Sequence, residues 1–275
     1  IDETKSLSAG LNLDRTAIKA GRYLAVSNYD YLVENGSVDT SKDNQGIPSF
    51  ESEGFNTYGL NLGWNMNTLN RGRFPTKGMS HNVNLNLAFG DVTYQKMVYQ
   101  GNYYHPFYKN TVLRGYTKLG YGNDLPFWEN FFAGGYGSVR GYENYTLGPK
   151  SNRYAFPGTD NYPEEIGGNA LAQVGTELIL PMPFKADWAS QIRPVLFVEG
   201  AQVFDTQCDI SSSADLRKNC KDNYGFDFGE MRYSVGVGFT WITMIGPLSL
   251  SYAYPLNDKQ GDDTKNIQFE IGRTF

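Results

Sequence analysis

The chain has 275 residues with 31 glycines, 20 tyrosines and 17 phenylalanines, and only 19% of it is charged, against about 25% in an average soluble domain. A formal net charge of -5 with no basic cluster argues against a nucleic-acid binder, which usually shows a basic face. No apolar run approaches the about 18 residues of a spanning helix, but a spanning strand needs only about 9 to 11 residues that alternate apolar with polar, so a membrane stays open.

The chain opens at Ile1-Asp2-Glu3 without a charged segment leading into an apolar one, and no signal peptide is expected in this numbering. Leu7, Ala9, Leu11 and Leu13 alternate with Ser6, Ser8, Gly10 and Asn12, which predicts a first strand. A long connection from Arg15 to Phe55 follows, with room for a short helix between Arg22 and Glu34. The second strand sets Tyr58, Leu60, Leu62, Trp64 and Met66 against Thr57, Gly59, Asn61, Gly63 and Asn65. The third sets Val83, Leu85, Leu87 and Phe89 against Asn82, Asn84, Asn86 and Ala88, and a tight Gly90-Asp91 turn returns the chain as a fourth, Val92 to Tyr104.

A fifth strand runs from Thr111 to Tyr121, where Arg114, Tyr116 and Lys118 share a face. The sixth, Gly168 to Leu180, turns Gln173, Gly175 and Glu177 away from its more apolar face, and the seventh, Pro194 to Phe204, sets Glu199 with Phe197 and Ala201 opposite Leu196, Val198, Gln202 and Phe204. Three regular strands close the chain. Their apolar rows are Tyr233 to Trp241, Leu248 to Tyr254, and Ile267, Phe269, Ile271 and Phe275, and the facing rows are glycine, serine, threonine, alanine, Gln268 and Glu270.

A soluble sandwich would carry lysine, glutamate and aspartate on its polar faces. Here those faces are mostly Gly, Asn, Ser and Thr, as expected of the interior of a membrane barrel whose apolar face meets lipid. Long connections fall on odd-numbered positions and shorter ones on even-numbered positions, which puts the long ones on one rim. The fold expected is therefore all-β: an antiparallel transmembrane β-barrel of about ten strands, forming a single domain over residues 1–275 with long extracellular loops. Tyr58, Trp64, Tyr254 and Phe275 would lie in its interfacial girdles. A soluble β-protein acting as a binding module is the alternative.

Cys208 and Cys220 lie in one polar segment where a local disulfide is plausible in an oxidising compartment, with two free thiols as the other reading. His81 and His105 fall on different strands without metal-ligand spacing and read as lumen or interface residues. No nucleophile or acid–base constellation stands out, so no enzyme activity, metal or cofactor is expected.

The 124–150 segment is too aromatic for an ordinary loop and too rich in glycine for a helix or plain strand. It reads Pro126-Phe127-Trp128-Glu129-Asn130-Phe131-Phe132-Ala133-Gly134-Gly135, then Val139-Arg140-Gly141-Tyr142, then Leu147-Gly148-Pro149-Lys150. With Gly72-Arg73-Phe74-Pro75-Thr76, Gly246-Pro247-Leu248 and the final Phe269-Glu270-Ile271-Gly272-Arg273-Thr274-Phe275, it resembles the BamA family of outer-membrane assembly proteins over nearly the whole chain.

That resemblance implies the C-terminal part of a sixteen-stranded barrel whose first strands and POTRA domains are absent from this chain. It implies an integral protein of the bacterial outer membrane with its C-terminus periplasmic, which folds and inserts nascent outer-membrane β-barrel proteins with partner lipoproteins, membrane lipid and no nucleic acid. It further implies that the Val139-Arg140-Gly141-Tyr142 loop docks in the lumen with Arg140 against Glu177 and Glu199. The seam strand would comprise Ile267, Phe269, Ile271, Gly272 and Phe275, with Gly272 permitting a kink that weakens closure. Alternation puts both glutamates on the polar face independently of the resemblance. A two-partner-secretion-type pore that translocates an unfolded exoprotein is the runner-up.

Overall fold

The computed structural model describes residues 3–20, 24–35, 50–51, 54–153, 163–182, 191–207, 224–244 and 246–272. Ten antiparallel strands form one sheet in which neighbours in the chain are neighbours in the sheet. They are β1 (Lys5–Thr16), β2 (Phe55–Asn67), β3 (Gly78–Gly90), β4 (Tyr94–Tyr108), β5 (Thr111–Asn123), β6 (Ala170–Ile179), β7 (Ile192–Phe204), β8 (Arg232–Thr243), β9 (Gly246–Pro255) and β10 (Ile267–Ile271). Among the described residues, β1 and β10 are its two edges.

Because side chains alternate across a strand, register makes each apolar residue the neighbour of another on the same face. Leu13, Tyr58 and Phe89 form one such row, and Leu196, Val237 and Tyr252 another. These side chains are exposed, as are Val198, Val235, Ile267, Phe269 and Ile271. The opposite, inner face holds small and polar residues, which the rest of the chain covers on the later strands and leaves exposed on β1. Ser234, Thr240, Ser249, Ser251 and Ala253 are buried there, and the Thr240 and Ser249 hydroxyls share a 2.8 Å hydrogen bond.

The strands begin and end within a few residues of the expected bounds, since period two is a local signal. The helix covers Val26–Asn35, within the stretch that had room for it except for its last residue. Its Leu32 is buried with Phe55 and Val92, and Tyr31 makes edge-to-face contacts with Phe127 and Trp128 at 5.8 and 5.7 Å. Part of the aromatic run in the 124–150 segment is thus packing material between this helix and the sheet.

On the short-connection rim, the 68–77 turn folds onto the inner face. Arg193 of β7 donates to the Pro75 carbonyl at 2.7 Å and lies 5.1 Å from the Phe74 ring. Both histidines take the outward rows near this rim: His81 Nδ1 is 2.8 Å from the Tyr99 hydroxyl, and His105 stacks with Tyr103. Gly272 stands next to Ile271 at φ 93°, with its N–H donating to Pro247 O at 2.8 Å, and whether it kinks the strand turns on 273–275, which lie outside the described residues. Cys208, Cys220 and Phe275 lie outside the described residues.

Candidate functional site

The described parts of the connection between β5 and β6, 124–153 and 163–169, enter the inner face rather than looping away from it. Phe131 and Gly168 exchange backbone hydrogen bonds of 2.8 and 3.1 Å at its neck, and Ala133 pairs with Leu147 further in. Phe131, Ala133, Val139, Tyr142 and Leu147 bury themselves with Leu171, Ala201 and Val203 of β6 and β7, which gives the loop its own core. A tight turn follows at 135–139, with Gly135 N–H donating to Val139 O at 3.1 Å, and Gln173 of β6 holds it by donating to the Gly137 and Ser138 carbonyls at 3.3 and 3.1 Å.

That turn delivers Arg140 to the wall. Its Nη2 donates to Glu177 Oε1 and Glu199 Oε2, both at 2.8 Å, its Nε to Glu199 Oε1 at 2.9 Å, and its backbone N–H to the same Oε1 at 2.5 Å. The guanidinium carbon lies 3.4 Å from the centroid of the Phe197 ring. Arg140, Glu177 and Glu199 are 3%, 1% and 3% exposed, so the charges sit out of water and depend on one another. Planar forked donors suit this task, because one guanidinium can meet two carboxylates and stack on an aromatic at once.

Two further side chains complete the cluster. Arg114 of β5 donates to Glu177 Oε2 at 2.7 Å and to Asn102 Oδ1 at 2.7 Å, and the Tyr116 hydroxyl donates to Glu199 Oε2. Two guanidinium groups thereby balance two carboxylates. Register explains the fit. Gly175 stands opposite both Tyr116 and Glu199, and a Cβ there would lie 2.3 Å from the Tyr116 ring, so only glycine lets the phenol reach across to Glu199. Gly236, opposite Phe197, is equally tight, with a Cβ 2.4 Å from that ring.

Arg140 continues into Gly141, whose φ of 96° and close approach to Ala253 and Pro255 suit no other residue. Tyr142 follows with no exposed surface, and burial, with Asp262 adding to it, pushes its phenol up to about 12. Glu143 is held below the usual carboxylate range by the N–H of Asn144 and by Lys265.

Of the residues singled out from sequence, Val139, Arg140, Gly141, Tyr142, Glu177 and Glu199 lie together in this site. Ile267, Phe269 and Ile271 do not touch it; they face outward on β10. Arg114, Tyr116, Asn102, Phe197 and Gln173 belong to it without having been selected. The shared face of Arg114 and Tyr116 was visible as a pattern, but their carboxylate partners follow only from the β5–β6 and β6–β7 registers. No group of three or more histidine, cysteine, aspartate or glutamate side chains that could hold a metal occurs among the described residues.

Residues 1–275 match the model of the Omp85 superfamily domain. The chain is 36% identical over 232 residues to outer membrane protein assembly factor BamA of Neisseria meningitidis serogroup B, across 78% of this chain and 28% of that protein. It is 26% identical over 152 residues to sorting and assembly machinery component 50 homolog A of Xenopus laevis, across 54% of this chain and 29% of that one. Its fold is similar to the crystal structure of BamA from Haemophilus ducreyi lacking POTRA domains 1-3, with a TM-score of 0.79 and 28% identity, across 98% of this chain and 51% of that chain. The chain thus spans under a third of the length of these two curated relatives and about half of the solved chain. On the match along its full length, the chain belongs to the Omp85 superfamily, and its ten strands are similar to the C-terminal part of a BamA barrel.

Proposed function

We propose that this chain is the C-terminal part of an outer-membrane barrel that folds and inserts other β-barrel proteins, a reading supported by its similarity to two bacterial proteins named outer membrane protein assembly factor BamA. In this reading the outward apolar rows face lipid, the long connections are extracellular, and the short ones and the C-terminus are periplasmic. Nascent barrel proteins are the clients, lipoproteins of the assembly complex are partners, and β10 supplies one side of a weak lateral seam at which a client strand adds by β-augmentation. No catalytic chemistry is involved.

The observation that carries the reading is the docked loop. An interior segment with its own core, fastened to two adjacent strands through a neutralised arginine, occupies the space that an open pore would leave for water or an exoprotein. This supports an assembly barrel over a translocating pore. It also gives the loop a point of control, because Arg140 ties it to both glutamates.

The test uses the full parent protein in liposomes. It should accelerate the folding of a test barrel and show no large steady conductance, and Arg140→Ala should lower folding toward the rate of empty liposomes while raising protease cleavage of the 124–150 loop. A large conductance that persists with the loop in place would favour the pore. Unchanged folding and protection in Arg140→Ala would remove the loop from the mechanism.

A further inference from the structure

Near its start the last strand changes partner. β10 pairs with β9 from Leu248↔Ile271 to Tyr252↔Ile267. Asn266 adds one more step: its carbonyl accepts from Ala253 N–H at 2.8 Å, and its side-chain amide donates to the Ala253 carbonyl at 2.9 Å. Backbone groups of successive residues in a strand face alternate neighbours. Leu256 N–H donates toward β8, to Tyr233 O at 2.9 Å, so Pro255 is the next residue of β9 that faces β10. Proline has no N–H, and the ladder lacks its next donor.

The chain answers by pairing elsewhere. Thr264 and Lys265 form a two-residue antiparallel bridge with Tyr142 and Gly141 of the inner loop, and Glu143 N–H donates to Asp263 O at 2.8 Å. Buried Gln268, on the inner row of β10, donates to Tyr142 O at 2.6 Å. Lys265 meets Glu143 at 3.0 Å, and Lys150 donates to Gly261 O at 2.6 Å. These contacts begin at the residue after Arg140, and they hold the segment that leads into the edge strand.

We propose that the inner loop is the anchor for the start of β10, with Gln268 as its positioning residue, so that the Arg140 clamp and the edge strand open as one unit. Among the described residues, five register pairs hold β10 to β9, with a backbone bond beyond each end at Asn266 and Gly272, where twelve hold β1 to β2, so the loop contacts add to a short ladder at this edge. On the assembly reading, on which its use rests, a client strand adding to β10 meets an edge whose position is set by the loop. Freeing Arg140 then frees the edge, and pulling on the edge loads Arg140.

Hydrogen exchange on the full parent protein in nanodiscs, with no client present, tests this. In the unsubstituted protein, amides of 140–143 and 264–266 should open with a common free energy, and opening rates that differ a hundredfold between the two stretches would overturn the proposal. Gln268→Leu keeps the side-chain size and removes the donor; it should raise exchange in both stretches about tenfold, as expected for loss of one buried hydrogen bond, while β5–β7 stay protected. Arg140→Ala should raise exchange at 264–266, and an unchanged rate there would also overturn it. Coupled exchange in a protein that fails to fold a test barrel in liposomes would sink the assembly reading and leave the coupling standing.

Discussion

The two edges of the sheet are held in opposite ways. β1 lies on β2 through twelve register pairs, yet Leu7, Leu11 and Leu13 on one face and Ser6, Ser8 and Gly10 on the other are exposed. β10 has five register pairs among the described residues, but its inner row carries buried Gln268, and the residues before it pair with a loop that is itself clamped by Arg140. A ladder fixes register at little burial. A short strand tied to a packed loop takes its position from side chains, and changes far along the chain can move it.

Substitutions that act through the loop should therefore disturb β10 and spare β1. The largest effect is expected for Glu199→Ala, which leaves the Arg140 guanidinium and backbone N–H without the carboxylate that binds both. Breaking a buried ion pair costs about 3 to 5 kcal/mol. Denaturant unfolding should show that loss, and exchange should rise at 140–143 and 264–266 but not at 5–16. Equal changes at both edges would dissolve the contrast.

Gly175→Val comes next. It forces the Tyr116 ring away from Glu199 and should cost about 1 to 3 kcal/mol as overpacking. Pro255→Ala has a smaller effect of opposite sign. Restoring the missing donor should lengthen the β9–β10 ladder and add up to about 1 kcal/mol, read as slower exchange at 264–265 with faster exchange at 141–143. No change at either stretch would remove proline from the account of why the strand switches partner.

The smallest effect concerns pH. Glu143 has a lowered carboxylate pKa in the folded protein, so its contribution is present above the unfolded value and is lost as pH falls through the folded one. Neutral to mildly acidic pH should leave the loop–hairpin contact unchanged, and loosening should begin only below the ordinary carboxylate range. Because Glu143 and Lys265 are exposed, salt should reproduce most of that loosening. Protease cleavage of the 256–266 hairpin across pH and salt measures it.

Much of the sheet was legible because each strand declares itself within a dozen residues. Tyr233, Val235, Val237, Phe239 and Trp241 need no partner to show which way they face. Glu177 and Glu199 could be turned inward by the same counting, and Arg140 stood out by its setting. Gln268 was legible as an inner-row residue and nothing more, since its acceptor, Tyr142 O, lies 126 residues away. The helix could be given only as room within the Arg22 to Glu34 stretch, because that connection has no period to measure.

By itself the sequence determined that there are about ten strands, which way residues face where alternation is regular, and that Glu177 and Glu199 turn inward, because alternation is enforced by the pleat of a single strand. Tertiary structure alone decided which rows line up. Register across β5 and β6 brings Arg114 to Glu177 and Tyr116 to Gly175, although the whole 124–169 loop separates the two strands in the chain. It also decided that Thr264 and Lys265 leave β9 for the loop, because the absence of one N–H at Pro255 matters only once β10 lies beside it.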